Sequence, residues 1–329
     1  MRTLVRTVMK RNVYILGSGF SASFGFPTQA NLFSKLMAAR ERSGETDKAK
    51  IVDALQFLYP HFNKESPVYP PFEEFLSLVE IIRDFKEGFS REQLQEAKNA
   101  PLRLLTDLFS QLAEQSIVSE NAALLHEFVQ MPSSGDVIIT FNWDCLLERA
   151  YSQLERTPSL RGRIDDGVAI LKLHGSLSWG RTPSEKGQSK PNSATWLTRD
   201  HEDIFVVKDH KYGDFWDLMN EGPLIIPPIM TKRPFEYPSL ERIWYEALCS
   251  LMEAKQVFII GYSLPLEDFH ARTLLLSGIS HLNSKILLID PNPAVAGRYF
   301  SLISPRVEYF QGYFSEPALR AIRQRVSRT

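Results

Sequence analysis

The chain has little cysteine, little net charge and no long apolar run, and each shortage excludes a class of protein. Cys145 and Cys249 are too few for a disulfide framework or a cysteine-cluster zinc site. The 38 basic and 39 acidic residues nearly cancel, which gives no overall electrostatic basis for binding nucleic acid or an anionic membrane. No run approaches the roughly twenty apolar residues that span a bilayer, and no secretory signal is recognisable. We therefore expect a soluble, cytoplasmic protein without a metal site or a membrane partner.

Five short apolar runs, rich in β-branched residues, each end in a polar or glycine-rich tip. Such runs suit strands that are buried on both faces of a parallel sheet, and such sheets bind ligands at the carboxyl ends of their strands. The sequence thus predicts an α/β fold with a Rossmann-like, mostly parallel sheet, and chemistry where the tips converge. The runs and tips are Asn12–Leu16 before Gly17-Ser18-Gly19, Val137–Thr140 before Phe141-Asn142-Trp143-Asp144, Ala169–Leu173 before His174-Gly175, Val257–Ile260 before Gly261-Tyr262-Ser263, and Ile286–Ile289 before Asp290-Pro291-Asn292.

The stretch between the first two runs has apolar residues at helical spacing, for example Phe72, Phe75, Leu76 and Val79. Helix breaks are expected at Ser43-Gly44, at Pro60, in the Pro67-Pro70-Pro71 cluster and at Pro101. The stretch is far longer than a single crossover helix. We therefore predict a Rossmann-like domain formed by residues 1–27 and 136–329, and a helical insertion subdomain at 28–135.

Two later segments read as loops. Residues 181–192 are rich in Ser, Lys, Pro and Gly, which is typical of a flexible polar loop. The Pro-bracketed segment Pro223–Pro228 suits a lid or a pocket wall. Helices are expected at 240–255 and from about Glu316.

Gly17-Ser18-Gly19 follows a predicted strand, where glycines permit a tight turn and let backbone amides approach a pyrophosphate. A plain glycine turn is an equally good interpretation of the motif taken alone. Ser21 either donates its hydroxyl to a phosphate or ribose, or caps the helix that follows.

Asn142 and His174 are the residues of greatest chemical interest. The amide of Asn142 can orient a water molecule or a ribose hydroxyl, since it offers both a donor and an acceptor. The imidazole of His174 suits general-base chemistry near neutral pH, although a lone histidine is more often structural. Asp144 is either a helix cap or a site residue.

The remaining tips also have turn formation as an alternative reading. Gly261 allows close backbone approach, Asp290 offers a carboxylate to ribose hydroxyls, and Asp268 is predicted to start the helix after Pro265 and to reach the pocket.

Taken in order, these motifs resemble the sirtuin-like family over nearly the whole chain. The motifs are Gly17-Ser18-Gly19-Phe20-Ser21, Gly25-Phe26-Pro27, Thr140-Phe141-Asn142-Trp143-Asp144, His174-Gly175, Gly261-Tyr262-Ser263-Leu264 and Asp290-Pro291-Asn292. The nearest likeness is to the prokaryotic branch of that family, which includes NAD-cleaving effectors of antiviral defence.

The resemblance implies a role for each motif. Gly17, Gly19 and Ser21 would hold the phosphates of NAD, Asn142 would lie at the nicotinamide ribose, and His174 would be the catalytic base. Asp144 would shape the nicotinamide end of the pocket, while Ser263 and Asp290 or Asn292 would face the adenosine half. Ser18, Phe26, Pro27, Gly261, Tyr262 and Asp268 complete the predicted NAD-binding set.

Two departures from the deacylating sirtuins matter. The four zinc-binding cysteines of those enzymes are missing, and Thr28-Gln29-Ala30 stands where they carry an acid-Phe-Arg run. The resemblance therefore implies an NAD pocket, with NAD as substrate and no metal, rather than acyl-lysine peptide chemistry.

The resulting prediction is an NAD glycohydrolase that acts as a regulated antiviral-defence effector and gives nicotinamide and ADP-ribose. Control would come from a homo-oligomer or a separately encoded protein partner, with the helical stretch as the contact unless that stretch is plain core. One alternative is a zinc-free deacylase or ADP-ribosyltransferase. Another is a non-catalytic subunit that binds NAD or ADP-ribose. The sequence does not separate NAD from NADP.

Overall fold

The computed structural model describes residues 11–39, 46–85, 90–160, 167–182, 194–198, 200–207, 222–227, 236–279, 285–304 and 306–327. The predicted loop at 181–192 lies mostly outside these residues, and so do the predicted break at Ser43-Gly44 and residue 228 of the proline-bracketed segment. Among the described residues, no helix combines the length and apolar character needed to cross a membrane.

A six-stranded parallel sheet forms the centre of the molecule, in the strand order β3-β2-β1-β7-β8-β9. Each of the five apolar runs supplies one strand, and the sixth lies near the end of the chain. A smaller antiparallel sheet has the order β4-β6-β5. The strands are β1 (Arg11–Leu16), β2 (Val137–Thr140), β3 (Ala169–Lys172), β4 (Trp179–Arg181), β5 (Ala194–Trp196), β6 (Ile204–Val207), β7 (Ala254–Ile260), β8 (Lys285–Asp290) and β9 (Val307–Gln311).

Helices connect the strands and cover both faces of the large sheet. They are α1 (Ser18–Ala22), α2 (Leu32–Ala38), α3 (Thr46–Leu58), α4 (Phe72–Phe85), α5 (Arg91–Ser116), α6 (Ala122–Gln130), α7 (Leu146–Gln153), α8 (Pro238–Met252), α9 (Phe269–Ile279), α10 (Pro293–Leu302) and α11 (Glu316–Val326). Helices α2 to α6 fall within the stretch that the sequence predicts to be a helical insertion after the first strand. The fold class is α/β and Rossmann-like, as predicted.

Alternation along each strand divides the core in two. Val13 and Ile15 of β1 face one hydrophobic cluster, which α8, α9 and α10 complete. Tyr14 and Leu16 face the other cluster, which contains buried residues of the long helical stretch and of α11. Because successive strand residues point to opposite faces, a buried apolar run such as Val13–Leu16 of β1 requires cover on both sides. The helical stretch supplies that cover on one side.

The predicted helix break at Pro101 is wrong. Helix α5 runs through Pro101 from Arg91 to Ser116 and begins with a capping box in which Ser90 and Gln93 exchange hydrogen bonds. An interior proline costs a helix about 3 kcal/mol, because it removes a hydrogen bond and crowds the preceding turn. Buried side chains on both sides of Pro101 offset that cost: Leu94, Ala97, Ala100, Leu102, Leu104 and Leu105.

Candidate active site

The order of strands in the large sheet places a crevice between β1 and β7. Strands β2 and β3 extend the sheet on one side of β1, and β7, β8 and β9 extend it on the other side. Ligands of open α/β sheets bind at the carboxyl ends of the strands where the order reverses in this way. A cleft that is open to solvent lies there, and its walls come from the ends of the strands and from the helical stretch.

The tips of β1 and β7 meet backbone to backbone. The amide of Gly17 donates to the carbonyl of Ile260 at 3.1 Å, and the amide of Gly19 donates to the carbonyl of Gly261 at 2.9 Å. A Cβ atom on Gly17 would lie 2.4 Å from the Gly261 carbonyl oxygen, and Gly261 has a φ of +61°. Close packing of the two tips therefore requires glycine at both positions.

Asn142 is held at the tip of β2 by the end of β1. Its side-chain nitrogen Nδ2 donates to the carbonyl oxygen of Gly17 at 2.9 Å and to the hydroxyl of Ser21 at 3.0 Å. A carbonyl can only accept, so the nitrogen of the amide must face Gly17. The amide oxygen of Asn142 is therefore the acceptor that remains for a ligand.

Asp144 combines the two roles that the sequence left open. One carboxylate oxygen accepts from the backbone amide of Leu146 at 3.0 Å, next to the start of α7. The other accepts from the Ser21 hydroxyl at 2.8 Å. Burial raises the pKa of Asp144, while the charge of Lys172 and the bonds from Ser21 and Leu146 oppose that rise.

A buried ion pair between β3 and α7 stabilises the strand end that carries Asp144. Lys172, in β3, lies 2.9 Å from Glu148 in α7, and both side chains are almost fully buried. Lys172 also donates to the backbone carbonyl of Asp144. Burial would lower the pKa of Lys172, but the nearby charges, led by Glu148, raise it overall, so the ammonium form is held.

His174 follows β3, and its imidazole is fixed by Asp268. The ring nitrogen Nε2 lies 2.9 Å from a carboxylate oxygen of Asp268. That carboxylate also accepts from the Tyr262 hydroxyl and from the backbone amide of Ala271, each at 3.1 Å. Asp268 therefore caps α9, as predicted, and also reaches the cleft.

An aromatic wall stands beside the imidazole. Phe141 stacks on Tyr262 with ring centroids 4.0 Å apart, and its edge meets the His174 ring at 5.0 Å. Burial, together with the charge of Asp268, raises the pKa of Tyr262, so its hydroxyl stays protonated as a donor. These contacts restrict how the imidazole can turn.

The segment predicted as a lid or pocket wall packs against the turn after β3. The amide of Ile226 donates to the carbonyl of His174, and the amide of Ser176 donates to the carbonyl of Leu224. Gly175 has a φ of +76°, and a Cβ there would lie 2.1 Å from the Leu224 carbonyl oxygen. The segment thus braces the backbone of the His174 turn.

Most of the predicted site residues line this one cleft. Those that do are Gly17, Ser18, Ser21, Phe26, Pro27, Asn142, Asp144, His174, Gly261, Tyr262, Ser263 and Asp268. Gly19, Asp290 and Asn292 are not among the lining residues. The amide of Gly19 is already bonded to Gly261. Asp290 accepts from the amide of Asn292, and Asn292 caps α10 through Ala294.

The sequence reasoning missed the part of the wall that comes from the helical stretch. Gln29, Leu32, Glu73 and Phe109 also line the cleft. Glu73 directly follows Phe72, a residue of the apolar face of α4, so the sequence places Glu73 at the edge of a buried helix face. That position was a signal that its carboxyl could line a pocket. The spacing of the apolar residues could not show which strand end this face of α4 would pack against.

The arrangement offers a defined set of chemical groups. It combines a fixed amide oxygen on Asn142, an imidazole oriented by a carboxylate, and apolar walls. One ring nitrogen of a neutral imidazole donates and the other accepts. A neutral imidazole that donates from Nε2 to Asp268 carries its lone pair on Nδ1.

The similarity of the chain to known proteins differs between solved structures and family models. No curated protein matched the chain. A solved structure from a study of the mechanism and regulation of Sir2 enzymes is 16% identical, covers 97% of this chain and 93% of its own, and has a TM-score of 0.41. A Sir2 structure with a p53 peptide and NAD+ is 15% identical, covers 96% of this chain and 94% of its own, and has a TM-score of 0.38. Residues 136–301, about half of the chain, match the model of the SIR2-like domain. The chain therefore belongs to the SIR2-like domain family.

Proposed function

We propose that the chain binds NAD in this cleft and hydrolyses the bond between nicotinamide and ribose. Water is consumed, nicotinamide and ADP-ribose are formed, and one proton is released. The observation that carries the proposal is that Asn142 and His174, at the ends of neighbouring strands, line the same cleft as Gly17 and Ser18. Membership of the SIR2-like family supports NAD as the substrate.

Cleavage of this bond requires no general acid, but the attack of water is helped by a general base. Nicotinamide leaves a positively charged linkage as a neutral molecule, so no proton has to be donated to it. The protein must instead stabilise positive charge that develops on the ribose and deliver water to the anomeric carbon.

Asn142 suits the positioning of water or of the ribose. Its amide nitrogen is committed to Gly17 and Ser21, so its oxygen presents a fixed acceptor. An acceptor held in advance orients a hydroxyl or a water without a further loss of side-chain freedom.

His174 suits the removal of the proton. Asp268 holds Nε2 and so favours the tautomer in which Nδ1 accepts. The carboxylate also stabilises the imidazolium that forms when the proton arrives. The same logic orients the histidine of the serine hydrolases.

Nicotinamide release from NAD by the purified chain tests the proposal. General-base help contributes about 10² to 10⁴ in rate, so we expect His174→Ala to lower kcat by that range. Loss of the positioning amide in Asn142→Ala should lower kcat on the order of 10². His126→Ala is the matched control, because it removes an imidazole from α6 that pairs with Gln153 and does not line the cleft.

The same assay separates the alternative functions. Nicotinamide release that requires an acyl-lysine peptide would indicate a deacylase, and ADP-ribose attached to a protein would indicate a transferase. Tight binding of NAD without any release would indicate a non-catalytic subunit. Equal turnover in the wild type and in His174→Ala would remove the histidine from the mechanism.

We also propose that the activity is regulated and serves antiviral defence, with control by self-association or by a partner protein. This part of the proposal rests on the resemblance to the prokaryotic branch of the family. Hydrolysis of a central cofactor is harmful to the cell when it is unregulated, which is the physical reason to expect such control.

A further inference from the structure

Glu73 brings a buried carboxyl to the cleft from the helical stretch. It is the second residue of α4, it is 8% exposed, and it lines the same cleft as Asn142 and His174. Its carboxyl oxygen Oε2 is buried and has no hydrogen-bond partner among the described residues. Buried polar atoms are nearly always paired, so one without a partner in the wall of a cleft calls for an explanation, and a ligand group is one.

The surroundings of Glu73 place it on one side of the cleft. The side chain of Gln29, just beyond the turn at Pro27, gives it a hydrogen bond. The preceding residue, Phe72, meets the edge of Trp143 with ring centroids 6.1 Å apart, and Trp143 follows β2. Glu73 therefore lies on the β2 side of the crevice, the side of Asn142.

The cleft that Glu73 lines has walls that are largely apolar and partly aromatic. Phe26, Leu32, Phe109 and Trp143 line the cleft together with Glu73. Apolar walls with a few fixed polar groups are the usual environment of a flat, largely apolar ring with polar substituents. The other carboxylate of this side, Asp144, accepts one bond at each oxygen, from Ser21 and from Leu146, whereas Oε2 of Glu73 accepts none among the described residues.

We propose that Glu73 binds the carboxamide of the nicotinamide group, with Oε2 accepting one of its N–H bonds. The inference rests on the proposed function and deepens it, because it assigns the recognition of the leaving group to the helical stretch. The positive charge of the bound pyridinium favours a neighbouring carboxylate. A nicotinic-acid ring in the same place would bring a second carboxylate against Glu73 and would be repelled.

Calorimetric binding of NAD and of its nicotinic-acid analogue at pH 8 tests the inference. The measurement uses the His174→Ala chain, so that binding is read without turnover. A hydrogen bond to a charged group changes affinity by about tenfold or more, so we expect NAD to bind at least about tenfold more tightly than the analogue. Glu73→Gln, added to that chain, keeps the shape but removes the charge, and should bring the two affinities to within about threefold.

Glu74→Gln is the matched control, since it removes the same charge from the neighbouring, exposed position of α4. It should leave the discrimination unchanged. If NAD binds and Glu73→Gln discriminates as before, the inference is overturned while the proposed function stands. If NAD does not bind at all, both fall. If Glu73→Gln loses the discrimination, the inference is supported whatever the turnover of the wild type.

Discussion

At the scale of single residues, the cleft depends on pairs that lie far apart in the chain. His174 is fixed by Asp268, and Asn142 is fixed by Gly17 and Ser21. The sequence could predict that Asn142 and His174 end strands, because each follows an apolar run. It could not predict their partners, since pairing depends on which strands are neighbours in the sheet.

Glu73 also predicts how stability depends on pH. Burial raises the pKa of Glu73 from an ordinary 4.5 to about 7, against hydrogen bonds from its own backbone amide and from Gln29. Between these values the folded chain holds a proton that the unfolded chain has released. The free energy of unfolding therefore falls as the pH rises through this window, by up to about 3 kcal/mol.

The amide of Glu73→Gln does not titrate. The fall in the free energy of unfolding with pH that Glu73 causes should therefore be absent from this variant. We expect its free energy of unfolding to match that of the wild type near pH 4.5 and to exceed it by about 3 kcal/mol at pH 8. Urea denaturation at a series of pH values measures both. Glu74→Gln should follow the wild type, and a constant difference between Glu73→Gln and the wild type would contradict the assignment of the raised pKa.

At the scale of elements, strands of the large sheet were more predictable than helices of the insertion. An apolar run such as Val137–Thr140 is short, bounded by turn residues and buried on both faces, so its local pattern suffices. Pro101 shows the opposite case, because its effect on α5 is decided by buried neighbours such as Leu105 that only the tertiary structure reveals. The three-residue strands β4 and β5 are too short to show a period.

The ion pair that joins β3 to α7 predicts a strongly coupled pair of substitutions. Lys172→Met would leave the charge of Glu148 in the interior without the Lys172 ammonium, which costs about 4 kcal/mol. Adding Glu148→Met removes that charge, leaving chiefly the loss of the donor to the Asp144 carbonyl, about 1–3 kcal/mol. The double variant should therefore be more stable than Lys172→Met alone.

A double-mutant cycle of chemical denaturation measures this coupling. The three variants and the wild type are compared in one buffer, and the coupling is the departure of the double variant from the sum of the single ones. Additive effects would mean that Lys172 and Glu148 do not stabilise each other across this contact.

At the scale of the whole molecule, the cleft belongs to two parts of the chain. The tips of the sheet supply Asn142 and His174, whereas α4 and α5 supply Glu73 and Phe109. The order of strands could not be read from the sequence, because local patterns do not say which parallel strands are neighbours. The division of the chain into two domains at residues 27 and 136 is still a prediction. A helical stretch that moved independently of the sheet would carry Glu73 with it.

The core predicts that the helical stretch and the sheet unfold together. Tyr14 of β1 stacks on Phe258 of β7 with centroids 5.1 Å apart, and meets the edge of Phe128 of α6 at 6.0 Å. Phe128 also contacts Phe314, which precedes α11. One cluster of buried side chains thus runs from the insertion through one face of the sheet, so neither part can lose its packing without exposing the other.

We therefore expect one cooperative transition in urea, at the same midpoint whether it is followed by far-ultraviolet circular dichroism or by tryptophan fluorescence. Removal of residues 28–135, with a short linker in their place, should expose the aromatic face of the sheet and leave no folded protein. In the His174→Ala chain, which should bind NAD without turnover, saturating NAD should move the single transition as a whole, by about 2.7 kcal/mol at a hundredfold excess over Kd. Two separated transitions, with the helical signal lost first, would instead mean that the insertion opens independently and carries Glu73 out of the cleft while the sheet stays folded.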